Sequence, residues 1–445
     1  MMTKSFPNGL LGLGASLICL ASVTVGEDRA TTIGSPPDTS SARLAPADIV
    51  YRGAFRLPDV EQDSSWEYSG NAMTYCPSGD PRGPADGHPG SLFAIGHDHQ
   101  QMISELAIPR PVISKAKSLD VLPVAKTLQP FRDVRGDFYG ELEIPRAGLA
   151  YLPPQPPQRT GKLHFAWGQH FEFERRPTHG WCELNLSKPQ AAGPWHLAHY
   201  SAYVSNDYLF EIPESWAAAN TPGLRLATGR FRDGTWGGLG PALLAYGPWN
   251  DGDPPQRGAT LTHVTPLLMY GTPIDDVPEL EVRNEHKLQG FSEADEWSGG
   301  AWLTAGSRSA VALVGTKGLG KNWYGFANGV VYPTSGDDNE TYPDVPPAPF
   351  DQRGWWSERI EAQMIFYDPA DLADVAHKKR QPWEPQPYAT LSLDPYLFDP
   401  GFDHERQKRY LLGDVTFDRE RRLLYLVERR ADGEKSLIHV FSVTP

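Results

Sequence analysis

A loose unit of three short apolar strands recurs along this chain and limits the folds that it can adopt. Each unit opens on small residues, continues through two strands joined by a turn, and closes with a third strand. The second strand of the unit ends in a polar cluster. Clear copies run through residues 70–108, 147–184, 299–367 and 413–441, and weaker ones lie near Tyr200–Ile212 and Leu224–Tyr246.

Three-stranded units repeated along a turn-rich chain are typical of the blades of a β-propeller. The chain has 43 glycines and 42 prolines among 445 residues, which favours frequent turns over long helices. Blades bury both faces of their sheets, which explains strands that are apolar without regular alternation. We therefore predict an all-β fold, a single β-propeller of five to seven blades. A pair of β-sandwich domains is the alternative.

An early strand, Val50–Leu57, has no neighbouring strands of its own. We expect this N-terminal strand to complete the last blade, because that pairing removes an exposed sheet edge. Helical periodicity is weak elsewhere. The best short helix is Pro369–Lys378, with Asp368 as its N-terminal cap and proline at its first position.

The first 26 residues have the features of a secretory signal. Lys4 is followed by an apolar, small-residue stretch from Leu10 to Val25. We expect cleavage near Gly26 and an exported protein, with residues 27–48 as a flexible leader and 49–445 as the propeller domain. No later segment has the ~20 consecutive apolar residues of a membrane-spanning helix, so no membrane span is expected.

The net charge and the cysteine content limit the classes of partner and cofactor that we expect. The formal net charge of −14 argues against nucleic acid as a partner, and we expect a monomer. Removal of the signal leaves Cys76 and Cys182, and the sequence leaves open whether they pair.

Gly315–Lys321 lacks the full phosphate-loop pattern. Asp337–Glu340 has oxygen ligands that suit calcium, but an acidic loop is more often solvated, so no cofactor is assigned.

The propeller prediction has a consequence for where polar residues gather. The loop joining the second and third strands of a blade opens at the same end as the segment leading into the first strand. Both kinds of segment are rich here in histidines, cations and aromatic rings, a composition that suits a sugar or another hydroxyl-rich ligand. The second-to-third connections include His97–Gln100, Gly168–His170, Lys317–Tyr324 and Glu428–Arg430. The leading segments add Trp66, Tyr68, Asn71, Phe138, Tyr139, Glu141, Glu296 and Trp297.

The run Gly96-His97-Asp98-His99 is the strongest local feature. Histidine exchanges protons near neutral pH, and alternation along an extended chain places His97 and His99 on the same side. That arrangement also allows two imidazole ligands to a metal, but no third ligand is identifiable, so no metal site is assigned. A hydrogen-bonded loop histidine is the alternative for each.

A second candidate is the segment from Arg230 to Trp236. Arg230 and Arg232 lie on one face of a strand and can clamp a carboxylate. Surface ion pairing, for example with Asp233, is the equally simple alternative.

The sequences of the predicted blades resemble those of secreted bacterial β-propeller proteins. The resemblance is carried by Gly70-Asn71, Leu92–His99, Leu313–Tyr324 with Gln363–Pro369, and Gly413–Glu428. Among propellers of known chemistry, the chain looks most like carbohydrate-active ones, such as uronate-cleaving polysaccharide lyases and rhamnosidases acting beside glucuronate. The resemblance implies that His, Tyr and Arg side chains on the central face carry the chemistry. It does not match those families residue by residue.

We therefore predict an exported carbohydrate-active enzyme that acts on an acidic poly- or oligosaccharide by β-elimination at a uronate. Elimination needs a cation at the carboxylate, a base and an acid. We assign the cation to Arg232 or Lys317, the base to His97 or His170, and the acid to Tyr324. The predicted substrate-binding residues are His99, Asn71, Gln169, Arg230, Trp236, Trp297, Asn322 and Trp323.

Two other functions remain open from the sequence. A non-catalytic propeller can bind glycans or proteins through the same face. A glycoside hydrolase needs two carboxylates about 5–9.5 Å apart, and Glu141, Glu296 and Glu361 are the candidates.

Overall fold

The computed structural model contains a five-bladed β-propeller within the unit Ser40–Pro445. The structure describes residues 42–59, 63–83, 87–169, 175–200, 202–230, 238–274, 277–282, 286–333, 341–401, 403 and 405–445. The predicted signal segment and the acidic loop Asp337–Glu340 lie outside these ranges. None of the helices among the described residues has the length and apolar character needed to cross a membrane.

The strands follow one another around the ring in chain order. The N-terminal strand is β1 (Ile49–Arg56). Blade 1 contains β2 (Met73–Cys76), β3 (Gly87–Ile95), β4 (Ile103–Pro109) and β5 (Lys126–Arg132). Blade 2 contains β6 (Pro145–Leu152), β7 (Lys162–Gln169), β8 (His179–Glu183) and β9 (Ala192–Leu197).

Two short helices accompany blade 3: α1 (Ala202–Ser205) precedes it, and α2 (Glu214–Asn220) follows its first strand. The blade contains β10 (Tyr208–Glu211), β11 (Leu226–Gly229), β12 (Ala242–Tyr246) and, after β13, β14 (Val264–Met269). Strand β13 (Thr260–Leu261) instead pairs in parallel with β9 of blade 2. A small hairpin follows, formed by β15 (Thr272–Ile274) and β16 (Val277–Val282).

The last two blades complete the ring. Blade 4 contains β17 (Glu296–Ala305), β18 (Arg308–Gly325), β19 (Gly354–Tyr367) and, after helix α3 (Pro369–Ala376), β20 (Ala389–Ser392). Blade 5 contains β21 (Leu412–Asp418), β22 (Leu423–Asp432) and β23 (Lys435–Val443), with β1 as its fourth strand. The predicted closure by the N-terminal strand is therefore confirmed. The predicted helix is also confirmed, since Asp368 accepts a hydrogen bond from the backbone of Ala370.

The first strand of each blade lies at the propeller axis. Contacts join β2 to β6, β6 to β10, β10 to β17, β17 to β21, and β21 back to β2. Asp414, which is fully buried on β21, accepts hydrogen bonds from Met73 on β2 (2.8 Å) and from its own neighbour Val415 (2.8 Å). Polar side chains thus join neighbouring inner strands.

Apolar packing fills each interface between adjacent blades. The described residues form one large core cluster for every neighbouring pair of blades. Successive residues of one strand enter different clusters: Leu92 packs towards blade 5, and Phe93 towards blade 2. This two-sided burial accounts for the continuous apolar strands of the sequence. Cys76 and Cys182 are free thiols in the cluster between blades 1 and 2.

The end of the predicted leader is packed against the propeller. Leu44 is fully buried in the cluster between blades 4 and 5, and Arg43 forms an ion pair with Asp368 (2.5 Å). Residues 27–48 are rich in Ser, Thr, Ala and Pro. The sequence-based prediction therefore included this short packed stretch in the flexible leader.

Candidate functional site

A cavity of about 680 Å³ lies on the face of the propeller where the inner strands begin. We call it the site cavity and this end of the propeller the site face. Blades 1, 2, 4 and 5 all contribute to its wall. The lining residues are Tyr68, His97, Asp98, His99, Glu143, Ile144, Pro145, Arg146, Gln352, Gln407, Lys408, Arg409, Tyr410, Arg429 and Arg430.

The lining of the site cavity is positively charged, although the chain as a whole is acidic. Five cationic side chains face two carboxylates, a net formal charge of +3 with the histidines neutral, against −14 for the chain. The cations are Arg146, Lys408, Arg409, Arg429 and Arg430. Local cations in a cleft attract anions regardless of the net charge of the molecule.

Three of these cations are neutralised by neighbouring carboxylates. Arg146 pairs with the buried Asp207 at 3.1 Å, Lys408 with Asp399 at 3.0 Å, and Arg430 with Glu434 at 2.7 Å. Their positive charge is therefore largely committed within the protein. Arg409 and Arg429 differ from them.

Arg409 is held by groups that leave its charge uncompensated. Its guanidinium donates to the backbone carbonyl of Trp355 at 3.1 Å. It also lies 5.0 Å from the ring centre of Trp356 and 4.9 Å from that of Tyr410. In the part of the chain that the structure describes, no carboxylate forms an ion pair with it. Stacked guanidinium groups keep their donors available to a planar anion.

Arg429 and Asp98 form a loosely paired couple in the wall of the site cavity. The Nη2 atom of Arg429 lies 3.5 Å from Asp98 Oδ2, a long contact, and Asn71 donates to Asp98 Oδ1 at 2.6 Å. Burial raises the pKa of Asp98, while Arg429 and Arg146 act to lower it. Burial likewise lowers the pKa of Arg429. An incoming anion can therefore take over part of the interaction that Arg429 has with Asp98.

Two histidines and a tyrosine line one side of the site cavity. The rings of His97 and His99 have centres 5.4 Å apart, and Tyr68 lies edge-on to His97 at 5.4 Å. The backbone N–H of His99 donates to Nδ1 of His97 at 3.1 Å. Since Nδ1 is then an acceptor, neutral His97 carries its proton on Nε2. Tyr68 is 40% exposed and has a positive φ of 52°, which turns it out of the core.

The structure therefore brings together two of the sequence-predicted residues, His97 and His99. Asn71 lies behind them, 3% exposed, and holds Asp98. Gln169 lies at a separate recess of about 60 Å³, where its amide oxygen accepts from the backbone of Ile144 at 3.2 Å. His170 lies just beyond the described residues.

Three predicted residues of blade 4, Lys317, Asn322 and Trp323, contact neighbouring segments of the chain rather than line the site cavity. Lys317 forms an ion pair with the buried Asp295 at 2.7 Å, and burial raises the pKa of Asp295 to about 6. Asn322 donates to Glu293 at 2.5 Å. The indole N–H of Trp323 donates to the carbonyl of Phe326 at 3.2 Å.

Tyr324, also on β18, packs against aromatic rings on this long hairpin. Its ring centre lies 5.5 Å from that of Trp355 and 6.2 Å from that of Tyr332. Tyr324 is not among the residues that line the site cavity.

Two predicted ligand-binding side chains are buried in the protein. Trp297 is 2% exposed and belongs to the core between blades 3 and 4. Arg230 is fully buried, and it donates to the backbone carbonyls of Gly240 (2.8 Å) and Tyr270 (2.9 Å). Both side chains are used for packing or loop anchoring. Arg232 and Trp236 lie outside the described residues.

The sequence-based prediction missed the cations that precede the inner strands. Arg146 is at the start of β6, and the run Lys408-Arg409-Tyr410 comes just before β21. Their position was the available signal, because segments leading into first strands open on the site face. Arg429 and Arg430 were placed on that face by the repeat but were not given a role.

Metal ligands are not assembled in the described part of the chain: no three His, Cys, Asp or Glu side chains group there in a way that could hold an ion. A scan against protein-family models found no match. A search of curated proteins likewise found no relative of this chain.

Proposed function

We propose that the site cavity binds an acidic saccharide and cleaves it by β-elimination at a uronate. The observation that carries the proposal is the pair Arg409, with which no described carboxylate forms an ion pair, and Arg429, whose contact with Asp98 is long, in a cavity that also holds two histidines. A carboxylate on a flat, hydroxyl-rich ring matches this combination of a planar cation, aromatic edges and polar groups.

Arg409 and Arg429 act on the substrate carboxylate. Abstraction of the proton next to a carboxylate develops negative charge on that group, and a fixed cation stabilises the charge more in the transition state than in the ground state. Replacing the long contact of Arg429 with Asp98 by a contact with substrate makes this cation available as the reaction proceeds.

The two histidines act at the substrate proton and at the leaving oxygen. His99 takes the proton from the carbon beside the carboxylate, the electron pair forms a carbon–carbon double bond, and the bond to the leaving oxygen breaks. His97 donates a hydrogen bond from its Nε2–H to the leaving oxygen, which takes up its proton from a water molecule. This assignment differs from the sequence-based one, because the hydrogen bond that His97 accepts at Nδ1 leaves Nε2–H as a donor, which suits the leaving oxygen rather than abstraction of the substrate proton.

The arrangement favours elimination over hydrolysis. Of the carboxylates predicted for a hydrolase, Glu141, Glu296 and Glu361, none lines the site cavity. The cavity carboxylates are Asp98, which is engaged by Asn71 and Arg429, and Glu143. A polymer-cleaving role also accords with the export that residues 1–26 predict, which sequencing of the mature N-terminus can test.

A product assay tests the reaction. Purified protein is incubated with a panel of uronate-containing polysaccharides, and the ultraviolet absorbance of an unsaturated product is followed. We expect product from at least one polymer. Arg429→Gln should lower kcat/KM roughly 100-fold, the loss typical of removing one charge-stabilising donor. Arg52→Gln, an exposed arginine that donates to Ser442 on the outside of blade 5, should not change it.

The outcomes separate the candidate functions. Saccharide binding that Arg429→Gln weakens, with no product from any polymer, would replace the enzyme by a glycan-binding propeller. A saturated reducing product would indicate hydrolysis. No binding and no product across the panel would contradict the proposal.

A further inference from the structure

Residues 398–410, described except at 402 and 404 and here called the strap, lie between β20 of blade 4 and β21 of blade 5. The segment ends with Lys408, Arg409 and Tyr410 in the cavity wall. Its hydrogen bonds, within the described residues, indicate what fixes its position.

Glu428, on β22, holds the beginning of the strap. Its carboxylate is fully buried and accepts hydrogen bonds from the backbone N–H groups of Phe398 (2.9 Å) and Asp399 (2.8 Å). Two backbone donors anchored on one buried carboxylate fix both the position and the direction of the chain there. A buried carboxylate is stable only when such donors surround it.

The ring closure of the propeller completes the environment of Glu428. His439, on β23, lies 2.8 Å from the Glu428 carboxylate through Nε2. Tyr51, on β1, lies 3.1 Å from His439 Nδ1 through its hydroxyl group. Since the carboxylate only accepts, His439 donates from Nε2 and accepts from Tyr51. The three side chains belong to three different strands of blade 5.

Hydrogen bonds within the strap connect its anchored beginning to the residues in the cavity wall. The Asp399 carboxylate accepts from Lys408 Nζ at 3.0 Å and from Arg406 at 2.9 Å. Lys408 is 2% exposed and immediately precedes Arg409. The position of Arg409 thus depends on Asp399, whose own backbone is held by Glu428.

We propose that Glu428 is a positioning residue that links ring closure by β1 to the geometry of the site cavity. Through the strap it sets where Arg409 lies, without touching a ligand itself. The consequence for affinity rests on the proposed function, whereas the consequence for the strap does not.

Hydrogen exchange of the intact protein, followed by mass spectrometry, tests the link without any ligand. Glu428→Gln keeps the shape of the side chain but turns an amide N–H₂ towards backbone donors. We expect strap amides, Phe398 and Asp399 included, to exchange roughly tenfold faster. Tyr51→Phe should have the same effect more weakly. The control is Glu105→Gln, a buried glutamate of blade 1 that accepts from Ser91 and Gln129, and it should leave the strap unchanged.

A second measurement uses an oligouronate that the wild-type protein binds. Glu428→Gln should weaken its binding several-fold, and Glu428→Asp should restore part of the loss in both measurements. Unchanged strap exchange in Glu428→Gln would overturn the inference, whatever the ligand does. Faster strap exchange in a protein that binds no oligouronate would leave the positioning role standing and refute the proposed function instead.

Discussion

At the scale of single residues, this protein buries several titratable groups whose states depend on pH. His164 and His179 are fully buried in blade 2. His164 is hydrogen-bonded to Gln158 (2.9 Å), and His179 to Thr178 (2.8 Å). Burial lowers the pKa of each to about 3. Both imidazoles are therefore neutral in the folded protein at pH values where they are protonated in the unfolded chain.

The depressed pKa values predict a loss of stability in acid. Each histidine contributes fully above its unfolded pKa of 6.5, and the contribution is lost as the pH falls towards 3, by about 1.4 kcal/mol per pH unit. His164→Gln, which keeps a donor towards Gln158, should reduce the slope of unfolding free energy between pH 4 and 6 by about that amount.

Chemical denaturation at several pH values measures this slope. Ser187→Ala, which replaces an exposed residue of blade 2 that does not titrate, is the control and should keep the wild-type slope. Equal slopes for His164→Gln and the wild type would show that His164 is not held neutral by the fold.

At the scale of elements, closure of the ring depends on how β1 meets β23. The register shifts between Tyr51 and Gly53, which makes Arg52 an extra residue in the strand. Gly53 has a φ of 122°, and a Cβ there would lie 2.5 Å from the carbonyl carbon of Val112. The backbone of the segment after β4 thus approaches β1 at a point that only glycine allows.

Gly53→Ala should weaken the closure. Strain and overpacking together predict a loss of roughly 2–4 kcal/mol in unfolding free energy. Gly433→Ala is the matched control, because Gly433 has a φ of 65° and open space around it. It should cost only about 1 kcal/mol. Urea denaturation compares the two, and equal losses would mean that the contact with Val112 is unimportant.

Prediction from sequence succeeded for most inner strands and for β1, and it missed other outer strands. The first three strands of most blades were predicted because both of their faces are apolar. The fourth strands of blades 1 and 4 were missed, since β5 and β20 are largely half-buried or exposed and lack an apolar signature. The blade 3 strands were seen as two weak copies because helix α2 and a long excursion interrupt them.

The same limits apply to the site. His97 and His99 were predicted because a distinctive motif follows a recognisable strand. Arg146, Arg409 and Arg429 come close together only because blades 2 and 5 lie on either side of blade 1 in the ring. They are far apart in the sequence, so the sequence does not show that they share a cavity. Trp297 was predicted as a ligand-binding ring, but its position on an inner strand buries it between blades.

At the scale of the whole molecule, the propeller has a different cavity at each end of its axis. The site face carries the basic site cavity. The opposite end of the axis has a smaller cavity of about 250 Å³, lined by all five inner strands and including Tyr75, Tyr151 and Trp302. Because no described carboxylate pairs with Arg409 and Arg429 has only a long contact with Asp98, anions should bind at these two cations, and binding should weaken as salt rises.

A crystal structure of the His97→Asn variant with a bound oligouronate tests the central claim most directly. The account predicts the saccharide in the site cavity, with a carboxylate within about 3.2 Å of the Arg409 or Arg429 guanidinium and His99 beside the carbon that loses its proton. A saccharide seated in the cavity at the opposite end, or one whose carboxylates all point into solvent, would contradict it.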